Sequence, residues 1–317
     1  MDMQTIIGAG GTIGKPLARE LKQYTQAIRL VNRHPQHVNG DDELFSADVT
    51  DPDMLDKAIA GSEVVYCTIG FKYELKTWQQ TWPSFMKHLT ASCLKHGSKL
   101  VFFDNVYMYA ASSIPDMNET SAVDPPSKKG QVRAEVVSIL EEAGRKGLTW
   151  IIARSADFYG PENRQSVLVE TVLKNQLKGK KAQWLGKIDK VHQYTYTPDA
   201  AKAVAMLGNA PDTWNQVWHL PTDQVSMTAR EWVSLFAGYT GSKDGIQVAP
   251  PWMVSVMGWF MPIMKEIREM MFQNMQHYRF HDEKFMQRFP DFRVTPAAEG
   301  VEETVKWFRN HPLEVGG

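Results

Sequence analysis

Gly8, Gly11 and Gly14 stand three residues apart directly after the apolar run Thr5-Ile6-Ile7, within Gly8-Ala9-Gly10-Gly11-Thr12-Ile13-Gly14. Lys15-Pro16-Leu17-Ala18 follows, with apolar Leu17, Ala18 and Leu21 at helical spacing. Such a turn does anion chemistry. Glycine accepts the φ > 0 backbone of a tight turn. Without Cβ it lets the main chain approach a pyrophosphate, and the first N–H groups and the dipole of the following helix favour negative charge. A glycine pattern alone says little. A strand before it, a helix after it and a place in the first βαβ unit make it a dinucleotide-binding signal, with Gly8, Gly10, Gly11, Thr12, Ile13 and Gly14 as the expected contacts. The tip of the second apolar run tells which dinucleotide. A carboxylate about 20 residues on accepts from the ribose 2′-OH in NAD-selective folds. Here Arg29-Leu30-Val31 runs into Asn32-Arg33-His34, with no carboxylate. Arg33 can pair a 2′-phosphate in a charge-assisted fork, so Asn32 and Arg33 point to NADP, with NAD less favoured.

The elements that must position these residues alternate along the first half. Strand candidates are Gln4 to Ile7, Ala27 to Asn32, Glu43 to Ala47, Glu63 to Ile69, Lys99 to Phe103 and Leu148 to Ala153. Most are continuous apolar runs, which suit parallel strands buried on both faces. Helical stretches lie between them at Pro16 to Tyr24, Met54 to Ala60, Trp78 to Lys95 and Gln131 to Arg145. This alternation predicts an α/β fold: a Rossmann doubly wound parallel sheet with helices on both faces. The rest is less regular. Ser166 to Leu177 and Asp199 to Leu207 read as helical, and Gln216 to Leu220 and Ile246 to Val248 as short strands. Ile263, Ile267, Met270 and Met271 share one helix face. The expected organisation is a dinucleotide-binding domain over 1–160 with a return segment about 190–220. A smaller C-terminal α+β substrate part, interleaved with it, takes 161–189 and 221–317.

Composition bounds the class. The 317 residues are 43% hydrophobic and 22% charged, which excludes a disordered chain or a fibre. A formal net charge of -1 argues against a nucleic-acid partner bound through bulk charge. Two cysteines, Cys67 and Cys93, rule out a disulfide scaffold and fit a reducing cytoplasm. No signal peptide precedes the first strand. The longest apolar stretch, Trp252 to Met264, is too short to span a bilayer and reads as core, with a lid, a dimer surface or a membrane-surface patch as the other readings. The expectation is a cytoplasmic monomer or homodimer.

Other chemistries lack their signatures. There is no His-Glu-x-x-His or Cys-x-x-Cys, so no metal is expected, and no Gly-x-Ser-x-Gly. Phe71-Lys72-Tyr73-Glu74-Leu75-Lys76-Thr77-Trp78 follows the fourth strand, at the carboxyl end where such sheets place ligands. Tyr73 and Trp78 are therefore substrate-lining candidates, while Trp82 and Phe85 read as helix core.

Several stretches together resemble the short-chain dehydrogenase/reductase superfamily, in its extended or atypical, NAD-dependent epimerase/dehydratase branch. Besides the glycine turn these are Ala47-Asp48-Val49, Val65-Tyr66-Cys67-Thr68-Ile69-Gly70, Arg154-Ser155-Ala156-Asp157-Phe158-Tyr159-Gly160-Pro161, His192 to Ala201 and Gly300 to Trp307. The resemblance implies that Asp48 and Val49 cap the adenine and that Thr68, Ile69 and Gly70 line the cofactor. It also places Asp157 and Tyr159 toward the substrate. The chain departs from the branch where the chemistry sits. The family's Tyr-x-x-x-Lys is missing at the expected helix, where Lys129 takes the Tyr place and Arg133 the Lys place. Arg133 can still hold ribose hydroxyls, whereas an ammonium at Lys129 does a phenol's work only after losing its proton. Anchored on Tyr109-Ala110, Asn105 falls on the family's Ser/Thr position. Tyr107 falls where sugar 4,6-dehydratases carry an acid.

The resulting expectation is an NAD(P)-dependent oxidoreductase or epimerase-type enzyme for a small carbonyl, sugar or alcohol. Tyr107 supplies the proton, Asn105 orients the reacting oxygen, and Arg133 and Lys129 stand beside them. The alternative is a non-catalytic NADP-binding redox sensor or regulatory module, which the missing Tyr and Ser suit equally.

Overall fold

The computed structural model describes residues 2–250, 252–254 and 262–312. The first half runs β1 (Gln4–Ile7), α1 (Gly14–Leu21), β2 (Ile28–Asn32), β3 (Glu43–Ser46), α2 (Pro52–Ile59), β4 (Val64–Cys67), α3 (Leu75–His96), β5 (Lys99–Asp104), α4 (Lys128–Arg145) and β6 (Trp150–Arg154). The second runs β7 (Phe158–Tyr159), α5 (Lys174–Leu177), β8 (Ala182–Leu185), β9 (Thr195–Tyr196), α6 (Thr197–Asn209), β10 (Gln216–His219), α7 (Ala229–Thr240), β11 (Ile246–Ala249), α8 (Pro262–Arg268), α9 (Glu283–Arg288) and α10 (Ala297–Asn310).

One compact unit comprises 1–108, 123–155 and 200–220. Its sheet is seven-stranded, in the order β10-β6-β5-β4-β1-β2-β3, and every pair is parallel. The six expected strands all lie in it, and the expected Gln216 to Leu220 strand supplies the edge as β10. Central β1 pairs Gln4 with Ile28 on one side and Val64 on the other. All residues of β1 and β4 are buried, because helices cover both faces of a parallel sheet, so no polar alternation survives. The helices begin two or three residues ahead of the periodic apolar positions, and α2 and α4 open on side-chain caps. Asp51 accepts from the N–H groups of Asp53 (2.9 Å) and Met54 (3.2 Å) ahead of Pro52, and Ser127 Oγ accepts from Gly130 N at 3.0 Å. Helix α3 packs between α2 and α4.

The other unit comprises 109–122, 156–199 and 221–317. The chain thus divides at other residues than expected: 109–122 and 156–160 fall in this unit, and the return segment begins at 200. It contains two short parallel pairs, β7 with β9 and β8 with β11. Its core gathers Tyr159, Leu168, Val172, Trp184, Trp232, Phe236, Val301 and Phe308. Helix α7 opens with a capping box in which Thr228 and Glu231 bond each other's backbone N–H. The expected Ser166 to Leu177 helix contains a π-helical turn at Val169–Leu173 before α5. The helix expected from the spacing of Ile263, Ile267, Met270 and Met271 is α8, which ends at Arg268 before a 3₁₀ turn at Met271–Met275. Of the Trp/Met-rich stretch Trp252 to Met264, residues 255–261 lie outside the described residues, and Trp252 is 67% exposed.

Candidate functional site

The turn after β1 is as tight as its glycines allow. Gly8 has φ +90°, and a Cβ there would meet Ile69 Cα and N at 2.8 Å. A Cβ on Gly14 would lie 2.5 Å from Gly8 O, and one on Gly10 would strike the Asn32 amide. Gly11 N donates back to Gly8 O at 2.9 Å. Ile13, the buried residue before α1, offers no side-chain cap, and the first turn of α1 holds no acid. Gly10 and Gly11 are exposed and Thr12 is half-buried. The result is a main-chain cradle at a helix start, ready for a phosphate.

The neighbouring strand ends fit this cradle. Asn32 Oδ1 accepts from Arg33 N at 2.7 Å, so the amide is turned along the tip of β2, and the Arg33 side chain is exposed. Asp48 Oδ1 accepts from Thr50 N and Oγ1 at 3.0 and 2.7 Å. These bonds, helped by the Arg33 charge, hold the Asp48 carboxyl below the ordinary range, and Val49 beside it is buried. Thr68 Oγ1 donates to Ile7 O at 3.1 Å, tying the end of β4 to the glycine turn. Ile69 is half-buried, and Gly70 is exposed with open space where a Cβ would stand.

At the carboxyl ends of β5 and β6 the same unit buries a charge cluster that sequence reading missed. Asp104 Oδ1 accepts from Arg133 Nε at 3.0 Å, from Arg133 Nη2, and from Asn105 N at 2.8 Å. Arg154 Nε lies 3.7 Å from Asp104 Oδ2. The Arg133 guanidinium also rests on the rings of Trp82 (4.4 Å) and Phe102 (5.0 Å). Arg133 is buried and turned onto Asp104. An Asp ending an apolar strand was the available signal, since a buried carboxylate needs a cationic partner.

The structure does bring five sequence candidates together. Asn105 and Tyr107 follow β5, and Asn105 Oδ1 accepts from Tyr107 N at 3.0 Å. The Tyr107 ring stacks on buried Trp78 at 6.1 Å and 21°. Tyr73 meets the other side of this group, edge-on to Trp78 at 5.6 Å. Lys129, at the start of α4, is wholly buried with Nζ 4.9 Å from the centre of the Tyr73 ring. The indole Nε1 of Trp78 is buried without a hydrogen-bond partner.

The two substrate candidates of the second unit diverge. Tyr159 is a core residue there, 1% exposed and packed on Tyr196 and Trp232 at 5.4 Å. One sequence cannot separate a core Tyr from a pocket Tyr. Asp157 is half-buried, and its Oδ2 lies 2.9 Å from His192 Nε2. His192 is buried and stacked against Tyr278 (4.2 Å, 3°) and Tyr194 (4.6 Å, 28°). Among the described residues no group of His, Cys, Asp or Glu is arranged to hold a metal ion, and no helix is long and apolar enough to cross a membrane.

A seven-stranded parallel sheet with a glycine turn and an uncapped helix start after its first strand defines a Rossmann-type α/β protein. The sequence pattern of the NAD-dependent epimerase/dehydratase family matches residues 5–219, and the chain belongs to that family. A dTDP-glucose 4,6-dehydratase of Salmonella typhimurium is 30% identical over 107 residues, 32% of this chain and 30% of that protein. Similar solved structures include the UDP-glucose 4-epimerase of Thermus thermophilus in complex with NAD, at TM-score 0.77 and 19% identity, covering 98% of this chain and 99% of that one. The dTDP-glucose 4,6-dehydratase of Bacillus anthracis, in complex with NAD, superposes at TM-score 0.78 and 17% identity, covering 98% of each chain. At these identities the structures share the fold.

Proposed function

We propose that the protein is an oxidoreductase or epimerase-type enzyme that uses a nicotinamide dinucleotide, NADP in preference to NAD. Its substrate is a small carbonyl, sugar or alcohol. The carrying observation is the glycine cradle at the uncapped start of α1, beside exposed Arg33 at a strand tip without a carboxylate. Gly8, Gly10, Gly11, Thr12, Ile13 and Gly14 hold the pyrophosphate, Asn32 and Arg33 the adenosine ribose and its 2′-phosphate, Asp48 and Val49 the adenine. Thr68, Ile69 and Gly70 line the path toward the reacting end. The bound dinucleotide supplies hydride transfer. The chain supplies orientation and the proton: Asn105 fixes the reacting oxygen, and a phenol of the Tyr73, Trp78, Tyr107 group works beside Lys129. The sugar-nucleotide relatives support a sugar-like substrate. The free, buried thiols of Cys67 and Cys93 suit a reducing, cytoplasmic setting.

Parallel fluorescence titrations with NADPH and NADH test this reading. NADPH is expected to bind at least about tenfold more tightly, since a hydrogen bond to a charged group contributes about 1.5–3 kcal/mol. Arg33→Ala is expected to erase the difference while leaving NADH binding in place. Binding of neither dinucleotide refutes the proposal. The second reading is a dinucleotide-binding sensor without turnover, favoured by the commitment of Arg133 to Asp104. Tight NADPH binding with no turnover across a panel of aldehydes, ketones and sugar nucleotides would select it.

A further inference from the structure

The unit that carries the glycine turn also has a cavity of about 660 Å³ at the opposite end of its sheet. Gln4, Val64 and Lys99, which open β1, β4 and β5, line it, whereas the cradle follows the carboxyl end of β1. Its size is ordinary for a small-molecule site. The floor is a ring of polar side chains. Tyr66 Oη donates to Gln4 Oε1 at 2.9 Å, Gln4 Nε2 donates to Asn209 Oδ1 at 2.6 Å, and Asn209 Nδ2 closes the ring on Tyr66 Oη at 3.2 Å. A Cβ on Gly208 would lie 2.3 Å from that phenol oxygen, so a side chain at 208 would push it out of the ring. A primary amide has two N–H donors and two lone pairs, so the ring leaves Gln4 one of each. A donor and an acceptor side by side on a planar amide match the amine and adjacent ring nitrogen of an aminopurine.

Two aromatic side chains form the walls. Tyr24 is exposed on the turn between α1 and β2. Half-buried Trp214 is fixed from both sides. Thr213 Oγ1 donates to Leu207 O at 2.6 Å and Ala210 O at 2.8 Å, and Asn215 holds a left-handed backbone at φ +58°. Every nucleobase has a face that stacks on such rings. The charges around the cavity decide what the base can carry. Lys99 Nζ lies 5.3 Å over the Trp214 ring but is shared with Glu63 at 3.4 Å. Lys22 reaches Gln26 and is paired with Asp41. Asp2 also lines the cavity, and burial and then the Glu20 charge push the Tyr24 phenol above its ordinary value. Among these described residues the cations are already matched and carboxylates are in surplus, which disfavours a phosphate.

We propose that this cavity is a second binding site, separate from the dinucleotide cradle, for an aminopurine nucleoside without phosphate. The base stacks on Trp214 and Tyr24. Its amine donates to Gln4 Oε1, and its adjacent ring nitrogen accepts from Gln4 Nε2. Asp2 and Glu63 keep nucleotides out. The site stands whether or not the function proposed above does.

The test is isothermal titration of the full chain with adenosine in saturating NADPH, which fills the cradle. One site with a Kd below about 1 mM is expected, an ordinary affinity for a molecule of this size. Tyr24→Ala and Trp214→Ala should each weaken it about five- to 150-fold, the loss that follows removal of one stacking ring, with NADPH affinity unchanged. Purine riboside, which lacks the amine, and AMP should each bind at least about fivefold more weakly than adenosine. Absence of adenosine binding overturns the site, and so does adenosine binding that NADPH abolishes or that neither variant moves. AMP binding tighter than adenosine overturns the exclusion of phosphate. Should Trp214→Ala fail to fold, Tyr24→Ala at its exposed turn decides alone. Should the wild type bind no dinucleotide, the proposed function fails, and the two variants still decide the adenosine site.

Discussion

Asp104 collects three N–H donors on one oxygen and faces a second arginine with the other. Its neutralisation would leave Arg133 and Arg154 buried without their counter-charge. Asp104→Asn is expected to cost about 3–5 kcal/mol, read as a shift of the urea midpoint, well beyond an ordinary surface change. The sequence showed only an Asp at the end of an apolar strand and did not name its partners in this cluster. Its members lie 29 and 50 residues from Asp104, and only the pairing of β5 with β6 and the docking of α4 bring them together. The glycine turn was legible for the opposite reason: strand, turn and helix start are all local, and the bulk excluded at Gly8 and Gly14 is backbone a few residues away or on the adjoining strand. Tyr159 shows the limit of a motif, which marks a position without saying which way its side chain faces. Gly14→Ala is expected to weaken dinucleotide binding at least about tenfold, because the added Cβ meets Gly8 O inside the cradle. Isothermal titration with NADPH checks it.

Helix α4 is where sequence and structure met only halfway. Its apolar periodicity was visible from Gln131 on, but the turn before it, held by Ser127 and passing Tyr107, is set by contacts with a different loop. Gly130→Ala is expected to destabilise by about 1–3 kcal/mol through overpacking against Tyr107 O and Pro125. Equilibrium urea unfolding gives the number. Helix α7 went unread although Thr228-x-x-Glu231 spells its start. Thr228→Ala should cost about 1 kcal/mol and leave dinucleotide affinity untouched, which separates a capping loss from damage to the site.

Across the whole molecule, two buried or half-buried groups tie stability to pH in the same direction. Burial pushes Asp282 up to about 6, against bonds from Thr222 N and Gln224 that favour the carboxylate. A carboxyl that holds its proton more tightly when folded loses stability as pH rises from its ordinary value near 3.8 to about 6. Burial of His281 opposes its charge, but hydrogen bonds and charge from Asp116 and Glu283 outweigh it and raise the ring above its ordinary value. Its contribution is full below about 6.5 and fades as pH climbs through the raised native value. Thermal unfolding followed from pH 4 upward should therefore show a falling melting temperature in two stages. Asp282→Asn should flatten the first stage and His281→Gln the second, and a rising profile over either window would contradict the assignment.

The Arg133 clamp also constrains which side chains position 133 can accept. A lysine at 133 offers a point charge where Asp104 now takes Nε and Nη2 from one planar fork, and where two aromatic rings receive a flat guanidinium. Arg133→Lys alone would therefore loosen the end of the sheet, so geometry and not charge alone holds this position to arginine.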